Sequence, residues 1–515
     1  MAEQRATERY LAFDLGAESG RAMCAAFDGD RLTLEEVHRF PNGPVRVPLM
    51  PDHEVPAGAP REALYWDALA LWREIKSGMA AFRDRCGPPA GIGIDTWGVD
   101  YALLGGDGAL LGQPYNHRDP RTDGMMDEAF RRMPREEIFE RTGIQFMQLN
   151  TLYQLLASRL HGSSALDAAG TLLMIPDLFA YWLTGRVACE FTDATTTQAY
   201  DPRAGRWATD LLERLEIPTR IFPEVVPPGT ALGTLLPSVA DEVRLPATTR
   251  VTAVASHDTG SAVAAVPAGA SNPAGDETYA YVSSGTWSLV GGEVKEPVIT
   301  PAALAYNFTN EGGVGAFRLL KNVMGLWLAQ ECRRTWRERG WDYSYTELAE
   351  RAAQARPFAA LVDPDDAAFL SPGDMPARFA AFCARTGQPP LDAGDVAQVT
   401  RCAFEGLALK YRWVIERLER LMGRRVAVIH VIGGGSQNAL LNQFTANACA
   451  RPVLAGPSEA TALGNALVQA LAHGRIASIE EGRALIRRSF PVTRFEPQDT
   501  AAWDEAYGRF LGLLG

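Results

Sequence analysis

The sequence predicts an α/β protein of two domains with an interdomain active-site cleft, and three observations lead there. Strand-like apolar runs alternate with helix-period segments along the chain. At 515 residues, the chain is longer than one hydrophobic core normally supports. A strand that runs into a glycine turn and a second strand occurs once in each half. The first is Phe13-Asp14-Leu15-Gly16-Ala17-Glu18-Ser19-Gly20-Arg21, and the second runs from Tyr279 through Ser283-Ser284-Gly285-Thr286 to Trp287-Ser288. Either loop alone is what any β-hairpin shows. One in each half suggests two related domains facing one nucleotide across a cleft.

The elements follow in order. In the first domain, residues 1–250, the opening loop is followed by a strand over Arg31 to Phe40 and a proline-rich surface segment, Pro41 to Pro60. A helix is expected from about Asp67 to Arg85, with Leu69, Trp72, Ile75, Met79 and Phe82 at three- and four-residue spacing. Gly87-Pro88-Pro89 breaks it, and residues 91–104 read as paired strands that turn at Gly105 to Gly108. Helices surround Leu152 to Leu160 and Asp177 to Leu183, the latter closed by Gly185. The second domain, 251–515, opens with the apolar strand Val251 to Ser256, and Ala268 to Asp276 reads as a Pro/Gly-rich loop. Val396 to Met422 is the clearest helix, its apolar positions spaced 3-4-3-4-3 from Phe404 to Leu421, with Gly423 at its end. Strand Val426 to Ile432, the turn Gly433 to Asn438, a helix, and a last core helix Glu459 to His473 complete the alternation.

Composition narrows the function. A net charge of −12 without a dense Lys/Arg block argues against nucleic acid or an anionic membrane as partner. An anionic substrate would then be held by local donors. The seven cysteines are scattered, with no C-x-x-C pair, which fits reduced and mostly buried thiols in a cytoplasmic protein. No signal peptide and no apolar run long enough to span a bilayer is present. The chain also lacks H-E-x-x-H, G-x-x-x-x-G-K-[ST] and a complete G-x-G-x-x-G, so zincin, P-loop and Rossmann readings fall away.

Five segments can carry chemistry. Asp14, at a strand end beside a glycine turn, suits a phosphate tail with its magnesium: amides face the phosphate and the carboxylate reaches the metal or its waters. In Ser256-His257-Asp258-Thr259, a carboxylate at a strand end can take the proton of a hydroxyl attacking phosphorus, while His257 and Thr259 bind the same polyol. The same residues also suit a helix N-cap, and the two roles are compatible. Gly433 to Asn438 either presents amides to a phosphate or an adenine, or is a tight strand-to-helix turn. Asp95 to Asp100 is either a sugar-binding edge with close approach at Gly98, or a buried strand carrying one packed Trp. After Lys321-Asn322, the stripe Met324, Trp327, Leu328 and Cys332 reads as core, leaving Asn322 and Gln330 for ligand contact.

Taken in order, Asp14-Leu-Gly-Ala-Glu-Ser-Gly-Arg, Gly93-Ile-Asp-Thr-Trp-Gly-Val-Asp, Ser256-His-Asp-Thr, Ser283-Ser-Gly-Thr-Trp-Ser, Asn310-Glu-Gly-Gly, Lys321-Asn and Gly433-Gly-Gly-Ser-Gln-Asn resemble the FGGY carbohydrate kinases of the actin/hexokinase/sugar-kinase superfamily. The likeness runs from about Leu11 past Gly464, and Arg141 to Phe146, Asn150 to Leu155 and Phe191 to Gln198 resemble its rhamnulose-phosphorylating branch. The resemblance implies two actin-like (ribonuclease H-like) α/β domains and ATP-dependent phosphorylation of L-rhamnulose at its 1-hydroxyl, in L-rhamnose catabolism. It makes Asp258 the catalytic base, and Gly98, His257, Asp258, Thr259 and Asn322 the sugar contacts. ATP would meet Ala17, Glu18, Ser19, Gly20, Arg21, Thr286, Gln330 and Gly434, and Asp14 would approach Mg²⁺ through water. A monomer or small homo-oligomer is expected. Pro41 to Pro60 is longer than the resemblance leads one to expect, and the cysteine pairs of some members around Arg356 to Met375 are missing, so no disulfide is needed. A kinase of another deoxyketose such as L-fuculose, an actin-like ATPase and an inactive sugar sensor are the alternatives. The Ser256 to Thr259 segment disfavours the last two.

Overall fold

The computed structural model describes residues 7–48, 62–269 and 278–514. The proline-rich segment beyond residue 48 and most of the Ala268 to Asp276 loop lie outside the described residues. The chain forms two compact units, each assembled from three stretches: 1–265, 293–319 and 461–489 in the first, and 266–292, 320–460 and 490–515 in the second.

The first unit is built on a six-stranded sheet of β1 (Glu8–Leu15), β2 (Ser19–Phe27), β3 (Leu32–Pro41), β4 (Gly91–Thr96), β5 (Thr230–Thr234) and β6 (Arg250–Ala253), in the order β5-β6-β4-β1-β2-β3. β1 to β3 form an antiparallel meander, and β4 runs parallel to both β1 and β6. The buried run Tyr10 to Leu15 is apolar on both faces apart from Asp14, as a central strand covered on two sides requires. Helix α1 (Ala68–Cys86) starts where the Asp67 carboxylate accepts a hydrogen bond from Ala70 N. It covers the sheet with Leu71, Ile75, Gly78, Met79 and Phe82. Gly78 is required there: a Cβ would come within 2.8 Å of the Phe13 ring and 2.9 Å of Ala22 Cβ. Leu69, expected on this buried stripe, is instead exposed, because the 3.6-residue period turns it away from Leu71 and Ile75.

One further expectation is corrected. Gly91 to Leu104 is not a strand pair: β4 joins the main sheet, while Tyr101–Leu104 pairs with Thr171–Met174. The glycine turn at 105–108 does form, and it folds the chain back so that Leu111 N donates to Leu103 O at 2.8 Å. The helix Ile175–Thr184 ends at Gly185 in the left-handed conformation, φ 76°, as its sequence indicates. From β6 the chain passes through four residues, Val254 to His257, into helix α2 (Asp258–Ala264).

In the second unit, β7 (Tyr279–Ser284), β8 (Trp287–Val294), β9 (Phe317–Met324), β10 (Val428–Ile432), β11 (Val453–Ala455) and β12 (Thr493–Phe495) follow the order β9-β8-β7-β10-β11-β12. The longest helix, α3 (Val396–Met422), is capped by Asp395 and ended by Gly423 at φ 66°. Helix α4 (Ala439–Cys449) packs beside it. Lys321 and Asn322 sit on β9, and the next helix, Trp327–Glu338, turns Leu328, Cys332 and Trp336 into a core shared with Met324 and Val399. All seven cysteines are free thiols, and all but Cys86 are buried. Among the described residues no helix is long and apolar enough to cross a membrane.

Candidate active site

In the first unit, acidic side chains collect where the parallel strands β1 and β4 end. Asp14 and Asp95 are register partners on adjacent strands. Arg21, opposite Asp14 on β2, donates from Nη2 to Asp14 Oδ2 at 2.5 Å. Asp95 is fully buried, and its Oδ2 accepts from Asn465 Nδ2 at 2.6 Å. Burial, reinforced by the charge of Asp14, holds the Asp95 carboxyl well above the usual carboxylate range. Asn465 belongs to helix α5 (Ala460–Ala472), which approaches this strand end closely because Gly93 and Gly464 lack side chains. A Cβ on Gly464 would stand 1.7 Å from Ser261 O of α2.

The end of β4 leads to the third carboxylate. Thr96 N donates to Ser256 O at 2.8 Å, and Thr96 bridges His257, which fixes the backbone just before Asp258. From the other side, fully buried Glu190 accepts from Ser256 N at 2.9 Å and from Thr192 N at 2.9 Å. Thr192 Oγ1 in turn accepts from His257 N at 3.0 Å. His257 is the N-cap residue of α2 by position, but its side chain makes no cap bond. Asp258 Oδ1 takes the Thr259 amide at 2.5 Å and Thr259 Oγ1 at 3.0 Å. A third of the Asp258 side chain remains accessible. Desolvation raises its pKa, helped by Asp14 and opposed by His257 and Thr259. Such a carboxylate is a stronger base than a free one and is still reachable by a hydroxyl.

The 97–100 loop carries the packed Trp its sequence suggests. Trp97 is core, its ring 4.0 Å from that of Trp66. Buried Asp100 Oδ2 accepts from Trp66 Nε1 at 2.6 Å and Trp97 Nε1 at 2.9 Å and lies 2.8 Å from His117 Nδ1, while its Oδ1 accepts from Gln154 Nε2 at 2.9 Å. Asp100 therefore anchors the loop. That anchoring presents half-buried Gly98 beside Val99, a β-branched residue at φ 69° whose amide is held by Thr196 Oγ1 at 3.0 Å. A strained β-branched residue in a loop over-determined by hydrogen bonds is typical of functional loops.

The second unit carries a cavity of about 730 Å³, lined among others by Gly285, Gln330, Tyr345, Gly434 and Asn438. Its position follows from the sheet: β7 and β10 are parallel neighbours with Ser283 opposite Ile432, so the turns after both strands emerge side by side. Gly435 packs so closely on Ser284 that a Cβ would lie 1.9 Å from its Oγ, while a Cβ on Gly434 would meet nothing within 4 Å. Gln330 Oε1 is buried without a hydrogen-bond partner.

Asp14, Arg21, His257, Asp258 and Thr259 thus share the first unit, with Ala17 and Glu18 exposed in the turn and Ser19 and Gly20 entering β2. Thr286, Asn322, Gln330 and Gly434 belong to the second unit. Of these, Gln330 and Gly434 line the cavity, Thr286 follows its Gly285, and Asn322 is half-buried on β9. Sequence reasoning did not single out Asp95 with Asn465, Glu190 with Thr192, or Glu311 with Arg318. Glu190 to Thr192 and Asn310-Glu311 did fall in or beside motifs, which was the available signal.

The sequence model of the N-terminal domain of the FGGY family of carbohydrate kinases matches residues 53–265, and that of its C-terminal domain matches residues 280–473. A rhamnulokinase of Bacteroides thetaiotaomicron is 47% identical over 98% of this chain and 99% of its own length. A rhamnulokinase of Pectobacterium carotovorum is 42% identical over 99% and 97%. Among solved structures, ligand-bound xylulose kinase from Lactobacillus acidophilus superposes with a TM-score of 0.78 at 16% identity, covering 98% of this chain and 97% of that one. Gluconate kinase from the same organism gives 0.77 at 16% identity, with the same coverage. These structures share the two-domain actin-like fold of sugar kinases.

Proposed function

The chain belongs to the FGGY family of carbohydrate kinases, and on that footing we propose that it transfers the γ-phosphoryl group of ATP to the 1-hydroxyl of L-rhamnulose. The observation that carries the substrate is end-to-end likeness, at 37–47% identity, to several proteins named rhamnulokinase. The chemistry is carried by Asp258. Its carboxylate takes the 1-hydroxyl proton as the oxygen bonds to the γ-phosphorus. The bond from that phosphorus to the β,γ-bridging oxygen breaks, and ADP leaves. His257, Thr259, Gly98 and Asn322 hold the sugar. Ala17 to Arg21, Thr286, Gln330 and Gly434 hold ATP, and the unpartnered Gln330 Oε1 suits a donor on the nucleotide.

Mg²⁺ fits the donors present. Asp14, Asp95 and Asp258 are hard oxygen groups, and the charge of Asp14 adds to the cost of ionising the other two, which a cation relieves. Such an ion would be carried largely by phosphates and water, with Asp14 approaching it through water. Bound there, Mg²⁺ would neutralise phosphate charge. The setting is cytoplasmic rhamnose catabolism.

The test is a coupled ADP-release assay over L-rhamnulose, L-fuculose, L-xylulose, glycerol and no sugar. L-Rhamnulose is expected to give the highest kcat/KM, with the other ketoses lower, since a methyl contact discriminates by only about 1–3 kcal/mol. Preference for glycerol would overturn the substrate, and equal ADP release without sugar would point to an actin-like ATPase.

A further inference from the structure

The Asn310-Glu311-Gly312-Gly313 motif is a built support for His257. Asn310 ties its strand to the first unit by donating to Gly143 O at 2.9 Å and accepting from Val298 N at 2.6 Å. Gly312 passes so close to Phe191 that a Cβ would lie 2.6 Å from its ring, and its amide donates to Thr195 Oγ1 at 2.7 Å. Gly312 O accepts Arg318 Nε at 2.6 Å. The Arg318 guanidinium, wholly shielded from solvent, then places Nη2 3.1 Å from Glu311 Oε2 and 3.1 Å from His257 Nδ1.

A guanidinium only donates, and Nη2 carries two hydrogens. One is directed at His257, so Nδ1 must be the bare, accepting nitrogen, while Glu311 Oε2 balances the guanidinium charge without accepting a hydrogen bond from it. Glu311 Oε2 is itself 3.3 Å from Nδ1 and competes for that position only if Nδ1 carries the proton, which the Arg318 contact disfavours. The remaining ring nitrogen, Nε2, lies 3.5 Å from Asp258 Oδ1. Resting on the reading of Asp258 as the base, we propose that the buried Glu311–Arg318 pair fixes His257 as the Nε2–H tautomer and directs that hydrogen at Asp258 and the hydroxyl it receives. Glu311 and Arg318 are then positioning residues. With the two Thr259 donors on Oδ1 and the imidazole N–H on the same side, Asp258 Oδ2 is turned to the incoming hydroxyl. Without the pair, the imidazole can present a bare nitrogen to a carboxylate, and the two acceptors repel.

Two measurements test this, and one needs no substrate. ¹⁵N-histidine labelling of the full chain, with His257 assigned by its loss in His257→Gln, should show one of the seven histidines protonated at Nε2 and bare at Nδ1. A proton on Nδ1 overturns the proposal. In kinetics, Gln puts an amide N–H near the Nε2 position and Asn near the Nδ1 position. His257→Gln should therefore keep about tenfold or more higher kcat than His257→Asn, since a misdirected group near the chemistry costs on that scale. Equal or reversed values overturn it. Arg318→Lys should lower kcat about tenfold with the KM for ATP unchanged. An unchanged kcat with an unchanged tautomer overturns the role of Arg318, and if this variant does not fold, the wild-type spectrum and the His257 pair still decide. If Asp258→Asn stays active while the Nε2–H tautomer is found, the base reading fails and the tautomer stands. A different preferred ketose touches neither result.

Discussion

Replacing Asp258 by Asn removes a charge and a proton acceptor from the centre of the site while preserving shape. The Asn oxygen can still take the Thr259 amide and hydroxyl, so the start of α2 has no reason to move. No neighbour can take over as base: Asp14 is tied to Arg21, Asp95 is fully buried, and His257 Nδ1 is occupied by Arg318. The full contribution of a positioned base should therefore be lost, a fall in kcat of about 10²–10⁴-fold, or about 3–5 kcal/mol of barrier. The KM values should change little. Because burial and Asp14 make ionised Asp258 costly to the fold, the variant should also be at least as stable as wild type near neutral pH. Coupled ADP release with L-rhamnulose and thermal unfolding read the two effects. A kcat within tenfold of wild type, or a variant that loses both stability and activity, would refute the reasoning and leave Asp258 as a helix-start residue.

Three further outcomes are expected. The acid limb of kcat/KM should fall above the ordinary aspartate value of 3.8, since Asp258 must be ionised and its pKa is raised; a limb at or below the ordinary value contradicts this. Glu190, raised by burial from 4.5 to about 7, binds a proton in the folded state that the unfolded chain has lost, so its contribution to stability falls as pH rises between those values, by on the order of 3 kcal/mol. Urea unfolding at pH 5 and pH 8 should show Glu190→Gln gaining on wild type at the higher pH, and a pH-independent difference would contradict it. Gly434→Leu, projecting into open cavity, should raise the KM for ATP about tenfold with kcat nearly intact, whereas Gly435→Ala, 1.9 Å from Ser284 Oγ, should lower the melting temperature. Equal effects of the two on the KM for ATP would show that the cavity is not the nucleotide site.

The parts of the molecule that the sequence announces are those set by local rules. The opening hairpin, α1 with its Asp67 cap, α3 with Asp395 and Gly423, and the strand–glycine–helix passage at Gly433 all follow from periodicity and capping over a few residues. What stayed hidden depends on partners far along the chain. Tyr101–Leu104 found its strand partner some 70 residues later, and Asn465 meets Asp95 across 370 positions. Glu190 and Arg318 read as an ordinary acid and base because the backbone amides and the imidazole they serve arrive from distant segments. The candidate base was legible because a Ser-His-Asp-Thr step after an apolar strand carries its chemistry and its local geometry in four residues.

The central claim, phosphorylation of L-rhamnulose at its 1-hydroxyl, is tested most directly by identifying the product. Enzyme, ATP, Mg²⁺ and L-rhamnulose should yield one phosphate ester per ADP, with ³¹P–¹H coupling to the two C1 protons. An ester at another carbon, or ADP formed without any ester, would contradict the account.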